Sequence, residues 1–341
     1  MRRLSGAPLL TLALSTGLAP ARPAAAACTP APSRTVDTVA QLRTVSGLRD
    51  DEVVEARAYR QAGDLGGGCF QFDARSADGP DDATVVWPEG APSGRLRRMV
   101  APGAPVLAEW FGARRAPGFD NSEAINRALA VYRRVDLQEG TYEVGGGRSH
   151  GIDLARDYRI QGQGPARTTV RLLDGWNPPG NISNAGGVWA GESYYSVFQN
   201  RARRSESADN VVIRDLTIDC NFDGQDKRST LGAIIVEGGN PLIENVHLRG
   251  FGVGFNPLLN HADGSPSPED FVVMQGLVYG DRESSRTGGT FRRLHFTGPG
   301  SPPSFAGALR PPAEITLLVL GGADRFAQGG EAAGNWWPTY G

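Results

Sequence analysis

Three stretches of the chain repeat one pattern, and their polar positions hold the side chains best suited to chemistry. Asn210–Ile218, Asn240–Leu248 and Gly288–Phe296 place apolar residues at the same three offsets: Ile213, Leu216 and Ile218; Ile243, Val246 and Leu248; Phe291, Leu294 and Phe296. If each stretch is a strand with 216 and 218 turned inward, alternation sends 215, 217 and 219 outward. Aligned copies then form an outward grid of Asp215, Thr217 and Asp219, then Asn245, His247 and Arg249, then Arg293, His295 and Thr297. Histidine moves protons near neutral pH, and arginine is suited to holding a carboxylate.

Spacing selects among mechanisms. Neighbouring strands lie about 4.8 Å apart, and alternate residues on a strand about 6.8 Å apart. Hydrolysis of a glycosidic bond by paired carboxyls needs them ~5–5.5 Å apart or ~6.5–9.5 Å apart. Asp215 and Asp219 are separated by roughly 13 Å on one extended strand and cannot form that pair. Asp219 with Asp223 or Asp226, across the following turn, still can. Elimination from a uronate needs a group to neutralise its carboxylate and a base for the ring proton. Arg249 and His247 offer those roles, with Asp219 to orient Arg249. Asp215, Asp223, Arg293 and His295 complete a predicted substrate-binding surface. The competing reading is a solvated sheet face with an Asp219–Arg249 pair, worth little when exposed.

Asp219-Cys-Asn-Phe-Asp-Gly224 also mimics the start of a calcium loop, but Thr230 stands where a bidentate Glu belongs. A polar turn is the better reading, and no metal or other cofactor is predicted. No nucleotide, haem or flavin motif is evident.

Composition sets the class. Gly (46) and Pro (24) make about a fifth of 341 residues, above the usual ~12% but below the ~25–30% of low-complexity chains. A net charge of −2 argues against a general nucleic-acid binder. Arg2 and Arg3, the apolar stretch with Leu9, Leu10, Leu12, Leu14 and Leu18, and Ala24–Ala27 predict a cleaved leader over residues 1–27. The expected location is secreted or periplasmic. Lipid anchoring through Cys28 is the lesser reading, because Ala25 stands where a larger aliphatic residue is usual. No segment is long enough for a membrane span. Three cysteines (Cys28, Cys69, Cys220) allow at most one disulfide, and Cys220 reads as a buried or turn thiol.

The elements that must position the grid follow from the pattern. Residues 28–36 read as a Pro-rich linker and 37–108 as a small β-rich module. That module has strands near 52–56, 69–73, 84–87 and 96–100 and a short helix near 37–42. An amphipathic helix follows Asp120, which with Glu123 reads as a capping box; it is expected to cover one end of the strand region. Similar strands at coil spacing imply parallel pairing, because a single coil cannot bury its own apolar edge. The predicted fold is all-β, a right-handed parallel β-helix over 109–300 with few coils. Residues 301–341, with the apolar Ile315–Leu320, form a tail.

Trp110-Phe-Gly-Ala113, Asp120–Ile125, Val135–Val144 with Gly140-Thr-Tyr142, and Ile160-Gln-Gly-Gln-Gly164 resemble the opening of pectate-lyase-superfamily β-helices. Asn210–Asp219 is similar to a coil of that group. Val36–Arg98, with Tyr59-Arg60 and Gly66-Gly67-Gly68, resembles the small module preceding the β-helix in some phage tailspikes and secreted relatives. The resemblance covers roughly residues 36–300, and it implies a protein acting on an acidic polysaccharide. Such relatives include lyases, hydrolases, epimerases and non-catalytic tailspikes, with a homotrimer among the assemblies implied. The motifs that mark active polygalacturonases, pectate lyases and mannuronan epimerases are not visible in this sequence.

Overall fold

The computed structural model describes residues 28–145, 150–175, 194–199, 207–225, 230–250, 252–253, 274–280, 289–297 and 315–320. The leader expected over 1–27 therefore lies outside the described residues, as do Asp226 and all of 301–341 except the strand at Ile315–Leu320.

The N-terminal module is one sheet of β1 (Arg34–Thr38), β2 (Val53–Ala58), β3 (Gly68–Asp73), β4 (Val85–Val86) and β5 (Arg95–Arg98), in the order β1-β2-β3-β5-β4. β1 and β2 are parallel and the remaining pairs antiparallel. β1 begins inside the stretch read as linker. A 3-10 turn, Val39–Thr44, stands where a short helix was expected. Alternation along β2, β3 and β5 buries Val54, Ala56, Phe70, Phe72 and Leu96 with Val39, Leu42 and Val86 as a small core. Cys28 and Cys69 form a disulfide with Cα atoms 5.6 Å apart, and Cys220 is a buried free thiol. A sulfur in that bond cannot also carry a thioether lipid, so the disulfide and anchoring through Cys28 exclude each other.

The module joins the next part through a buried arginine. Arg98 donates to the carbonyls of Ala83 (3.0 Å), Gly67 (2.7 Å) and Gly66 (2.9 Å). Its guanidinium lies 4.6 Å from the Phe70 ring centre and 4.9 Å from that of Trp110. Burial lowers its pKa to about 10. Trp110 belongs to the 3-10 turn Ala108–Phe111 and meets Tyr132 edge-on at 6.3 Å. Tyr132 ends α1 (Ser122–Tyr132), whose Ala124, Ile125, Ala128 and Leu129 face the larger core. α1 covers the first coil as expected, but its N-cap is Asn121 and carries no side-chain cap bond. Asp120 instead accepts from Ser122 N–H (2.9 Å) and Gly145 N–H (3.0 Å), fastening the helix to the first coil.

Five coils follow. The first holds β6 (Arg134–Asp136), β7 (Gly140–Val144) and β8 (His150–Asp153); the second holds β9 (Arg159–Gln161), β10 (Thr168–Leu172) and β11 (Tyr194–Gln199). β12 (Val212–Asp219) and β13 (Thr230–Glu237) form the third. β14 (Leu242–Arg249), β15 (Gly252–Val253) and β16 (Met274–Gly280) form the fourth, and β17 (Thr290–Phe296) and β18 (Ile315–Leu320) the fifth. Three parallel stacks result. β6, β9 and the first halves of β12, β14 and β17 make one. β7, β10 and the second halves of the same three strands make the next. β8, β11, β13, β16 and β18 make the third. Parallel crossovers of this kind are right-handed in almost all folds, and the architecture is a right-handed parallel β-helix. The tail strand β18 is thus part of the helix, continuing the third stack. No helix among the described residues is long and apolar enough to cross a membrane.

The core is built of like residues in register, such as Tyr142, Val170, Ile218 and Leu248. Ile160, Ile213 and Ile243 form a second column, and Ile152, Phe198 and Ile234 a third. Burying each such side chain is worth about 1.5–3 kcal/mol, which a single coil could not gain alone. β12, β14 and β17 turn a corner within one strand because Asp215, Asn245 and Arg293 take left-handed backbone angles (φ 58°, 52° and 53°). Asp and Asn enter that region more readily than other side chains. Asn210 and Asn240 (φ 59° and 54°) mark the corner before it.

Candidate functional site

The second stack carries the outward residues expected to act together. Thr217 pairs with His247, Asp219 with Arg249, and His247 with His295. The alignment of the three repeats is therefore the register of the sheet. Two columns run side by side: Thr141, Thr169, Thr217, His247 and His295, beside Glu143, Arg171, Asp219 and Arg249.

The second column alternates in charge. Arg171 Nη1 meets Glu143 Oε1 at 2.7 Å, and Arg249 Nε meets Asp219 Oδ2 at 3.0 Å. Arg171 also donates to Asp174 Oδ1 (2.7 Å) and Asn221 Oδ1 (2.9 Å). Asp219 Oδ1 accepts from Asn221 N–H at 2.8 Å. With both oxygens so used, protonating Asp219 would break two charge-assisted bonds. This weighs against Asp219 as the acid of a hydrolytic pair with Asp223, which is exposed in the 3-10 turn Phe222–Gly224. The same Asn221 contact makes Asp219–Gly224 a side-chain-capped turn. Arg249 remains 45% exposed while Asp219 is only 14% exposed, so the carboxylate anchors a cation that solvent, or a ligand, can reach.

In the first column the His247 and His295 rings stack at 4.5 Å with 19° between their planes. His247 Nε2 contacts the Thr297 hydroxyl. Burial pushes the His247 pKa down, His295 and Arg249 add to that, and Asp219 opposes it.

Four expected members of the grid, Thr217, Asp215, Asn245 and Arg293, do not stand in the open on this face. Thr217 is only 2% exposed, and its hydroxyl donates to Pro165 O at 2.7 Å, so the loop after β9 covers it. Asp215 and Arg293 sit at the corner, because the left-handed residue interrupts the alternation assumed from sequence. Asp215 accepts from Asn245 Nδ2 (2.7 Å) and lies 3.6 Å from Arg214 Nε. Arg293 bonds Glu244, which Arg292 Nε also meets at 2.9 Å. The Arg292 hydrogen bond, aided by the charges of Arg292 and Arg293, holds the Glu244 carboxyl below its usual range.

Arg171 and Glu143 were not anticipated. Their signal is the inward set Thr168, Val170 and Leu172 of β10, which places Arg171 outward but lacks the Ile–Leu–Ile offsets of the later copies. A polar hollow of about 600 Å³ lies instead on the module, lined by Asp50, Asp51, Gln71, Asp73 and Arg97 among others. Several of its groups are engaged with one another: Arg97 Nη1 lies 3.9 Å from Asp73 Oδ2, and Gln71 Nε2 donates to Asp51 Oδ1 at 2.9 Å.

Residues 35–101 match the family model of the phage tail protein small four-stranded β-sheet domain. The rest of the chain lies outside that match. No curated protein matches the sequence. Among solved structures, the chain is similar to WceF of Pantoea stewartii, a glycan biofilm modifying enzyme with a bacteriophage tailspike-like parallel β-helix fold. The identity is 17% and the TM-score 0.47, over 84% of this chain and 37% of that one. It is similar to the gp42 tailspike of Acinetobacter phage vb_AbaP_AS12 at 16% identity and TM-score 0.46, over 84% and 43%. It is also similar to the A-module of the Azotobacter vinelandii mannuronan C-5 epimerase AlgE6 at 20% identity and TM-score 0.35, over 51% and 44%. The chain thus spans less than half the length of each of these three.

Proposed function

We propose that this protein acts on an acidic, uronate-containing polysaccharide outside the cytoplasm, and that it does so by elimination. A β-helix by itself implies no activity, so the reading rests on the site. One observation carries it: Arg249, exposed and oriented by Asp219, stands beside His247 on the same outward face. Arg249 binds the carboxylate of a uronate through the guanidinium nitrogens that Asp219 leaves free, which makes the proton next to that carboxylate more acidic. His247, whose pKa is held down, is neutral at pH 7 and accepts that proton. Retained hydrolysis is the weaker option, because Asp219 is already engaged on both oxygens.

A second reading has its own support. The Glu143–Arg171 and Asp219–Arg249 pairs of the second column are each satisfied, as expected of a surface that binds an extended glycan without altering it. The test is incubation with a panel of uronate polysaccharides while following the ultraviolet absorbance of unsaturated ends. Growth of that absorbance supports elimination. New reducing ends without it support hydrolysis, and binding with neither supports the non-catalytic reading.

A further inference from the structure

We propose that the outer face of the N-terminal module is a second glycan-binding site, and that it takes an uncharged sugar chain. The proposal goes beyond the uronate reading above and does not depend on it. Alternation builds the face: Phe70, Phe72 and Leu96 are buried, so Gln71 and Asp73 of β3 and Arg95 and Arg97 of β5 turn outward. The hollow of about 600 Å³ lies here and takes in Asp50, Asp51 and Arg75, a volume within the usual range of small-molecule sites. Trp87, just past β4, extends the face. Val86 pairs with Leu96 and Arg95 with Asp73, so Trp87, Arg95 and Asp73 form one row across the sheet. That row spans about 10 Å, two strand spacings. Trp87 is 46% exposed and yet held in place. Its Nε1 donates to Ala91 O at 3.1 Å, and the Arg95 guanidinium lies 5.0 Å from the ring centre. Arg95 is itself pinned, donating to Asp78 O and Gly94 O at 2.8 Å. A fixed, exposed indole is a platform for the apolar C–H face of a sugar ring, with little ordering left to be done on binding.

Charge and hydrogen-bonding capacity choose the ligand. The hollow sets three carboxylates, Asp50, Asp51 and Asp73, against three guanidiniums, Arg75, Arg97 and Arg98. The charges balance, so neither an anion nor a cation is drawn in over the other. The polar groups are not all spent. Among the described residues Asp50 and Asp51 bind the protein through Oδ1 alone, accepting from Ala74 N–H and Gln71 Nε2, each at 2.9 Å. Arg97 uses Nη1 for Asp78 at 3.0 Å and stays 52% exposed. Carboxylates only accept hydrogen bonds and guanidiniums only donate them. A ligand group that suits both neighbours must do both, as a hydroxyl does. Several hydroxyls on a ring with an apolar face describe a neutral sugar. The surface around Arg249 is different, its open cation being suited to a carboxylate.

Titration calorimetry on the full chain tests this, with neutral hexasaccharides of glucose, mannose and galactose and with an oligogalacturonate. At least one neutral hexasaccharide should bind the parent protein, with an affinity unchanged between about 0.05 and 0.5 M salt. Trp87→Ala and Asp51→Asn should each weaken that binding by about tenfold or more. Trp87→Phe, which keeps a ring, should lose less. Asn is chosen at position 51 because the residue has a left-handed backbone angle (φ 64°), which Asn tolerates. Arg249→Ala should bind the neutral sugar as the parent does. Melting temperatures within a few degrees of the parent establish that the variants are folded, as expected for exposed positions. No binding of any neutral hexasaccharide up to about 10 mM would overturn the proposal. So would binding that both Trp87→Ala and Asp51→Asn leave intact. Oligogalacturonate binding that Arg97→Gln abolishes and Arg249→Ala does not would give the hollow an acidic ligand, and would overturn the neutral class.

Discussion

Asp219 and Arg249, thirty residues apart in sequence, are direct partners on adjacent coils, and Asp219 divides its carboxylate between two tasks. Oδ2 holds Arg249 Nε at 3.0 Å, and Oδ1 accepts from Asn221 N–H at 2.8 Å. The two tasks can be separated. Asp219→Asn keeps an oxygen for Asn221 and loses the charge facing Arg249, so melting should shift little while uronate binding weakens. Asp219→Ala loses both and should cost about 1–2 kcal/mol, since a turn amide loses its acceptor. Equal destabilisation by the two variants in thermal unfolding would mean that the ion pair, and not the turn, sets the stability.

Arg98 joins module to β-helix without a carboxylate partner, through three carbonyls and two rings. Arg98→Met keeps much of the volume but orphans those carbonyls. The expected loss is about 1–3 kcal/mol for each carbonyl left buried without a donor. Denaturant unfolding followed by tryptophan fluorescence, which includes Trp110, reads it. A loss below about 1 kcal/mol would show that water replaces the guanidinium.

The Cys28–Cys69 bond closes a loop with a sequence separation of 41. Loop entropy alone makes such a bond worth roughly 4 kcal/mol. Cys69→Ser, or reduction of the folded protein, should lower the melting temperature accordingly. Intact mass of the purified protein should show Cys28 oxidised and free of lipid. A diacylglyceryl mass on Cys28 would contradict this arrangement.

His247 gives stability a pH dependence in a window above that of the carboxyls whose pKa is lowered. Burial holds its folded pKa below the ordinary histidine value of 6.5, so below pH 6.5 the unfolded chain binds more protons than the folded one. Stability should therefore fall as pH drops from about 6.5 towards the lower folded value, and stop falling below it. The carboxyls of Asp64 and Asp81 are held below their usual 3.8 by hydrogen bonds that outweigh burial. Their contribution is lost only as pH falls below about 4, so the windows do not overlap. His247→Gln should flatten the slope between pH 6.5 and 5 relative to the parent, as urea unfolding across that range would show. An unchanged slope would place the titrating group elsewhere.

Much of this was legible in the sequence because stacking turns repeated apolar offsets directly into register. Ile213, Leu216 and Ile218, with their copies, predicted the strand pairing and the adjacency of Asp219 to Arg249 and of His247 to His295. The corner was not legible. A left-handed residue at 215, 245 and 293 breaks the two-residue alternation, and nothing in Asp, Asn and Arg at aligned positions announces a shared backbone angle. Asp215, Asn245 and Arg293 were therefore expected on the flat of the sheet and stand instead at its corner. Thr217 was expected in the open, but the loop carrying Pro165 covers it from a distant part of the chain. Arg171 escaped notice because β10 supports its coil with Thr168 and Val170, a weaker apolar signal than the later copies.

The central claim is that Arg249 and His247 form a working surface for a uronate. Release of unsaturated ends from an acidic polysaccharide by the parent protein, by Arg249→Ala and by His247→Ala tests it most directly, with melting temperatures measured alongside. The account predicts activity in the parent and its loss in both variants. Melting should stay within a few degrees for Arg249→Ala, because exposed substitutions usually cost under about 0.5 kcal/mol. Full activity in both variants would contradict it and move the chemistry off this face.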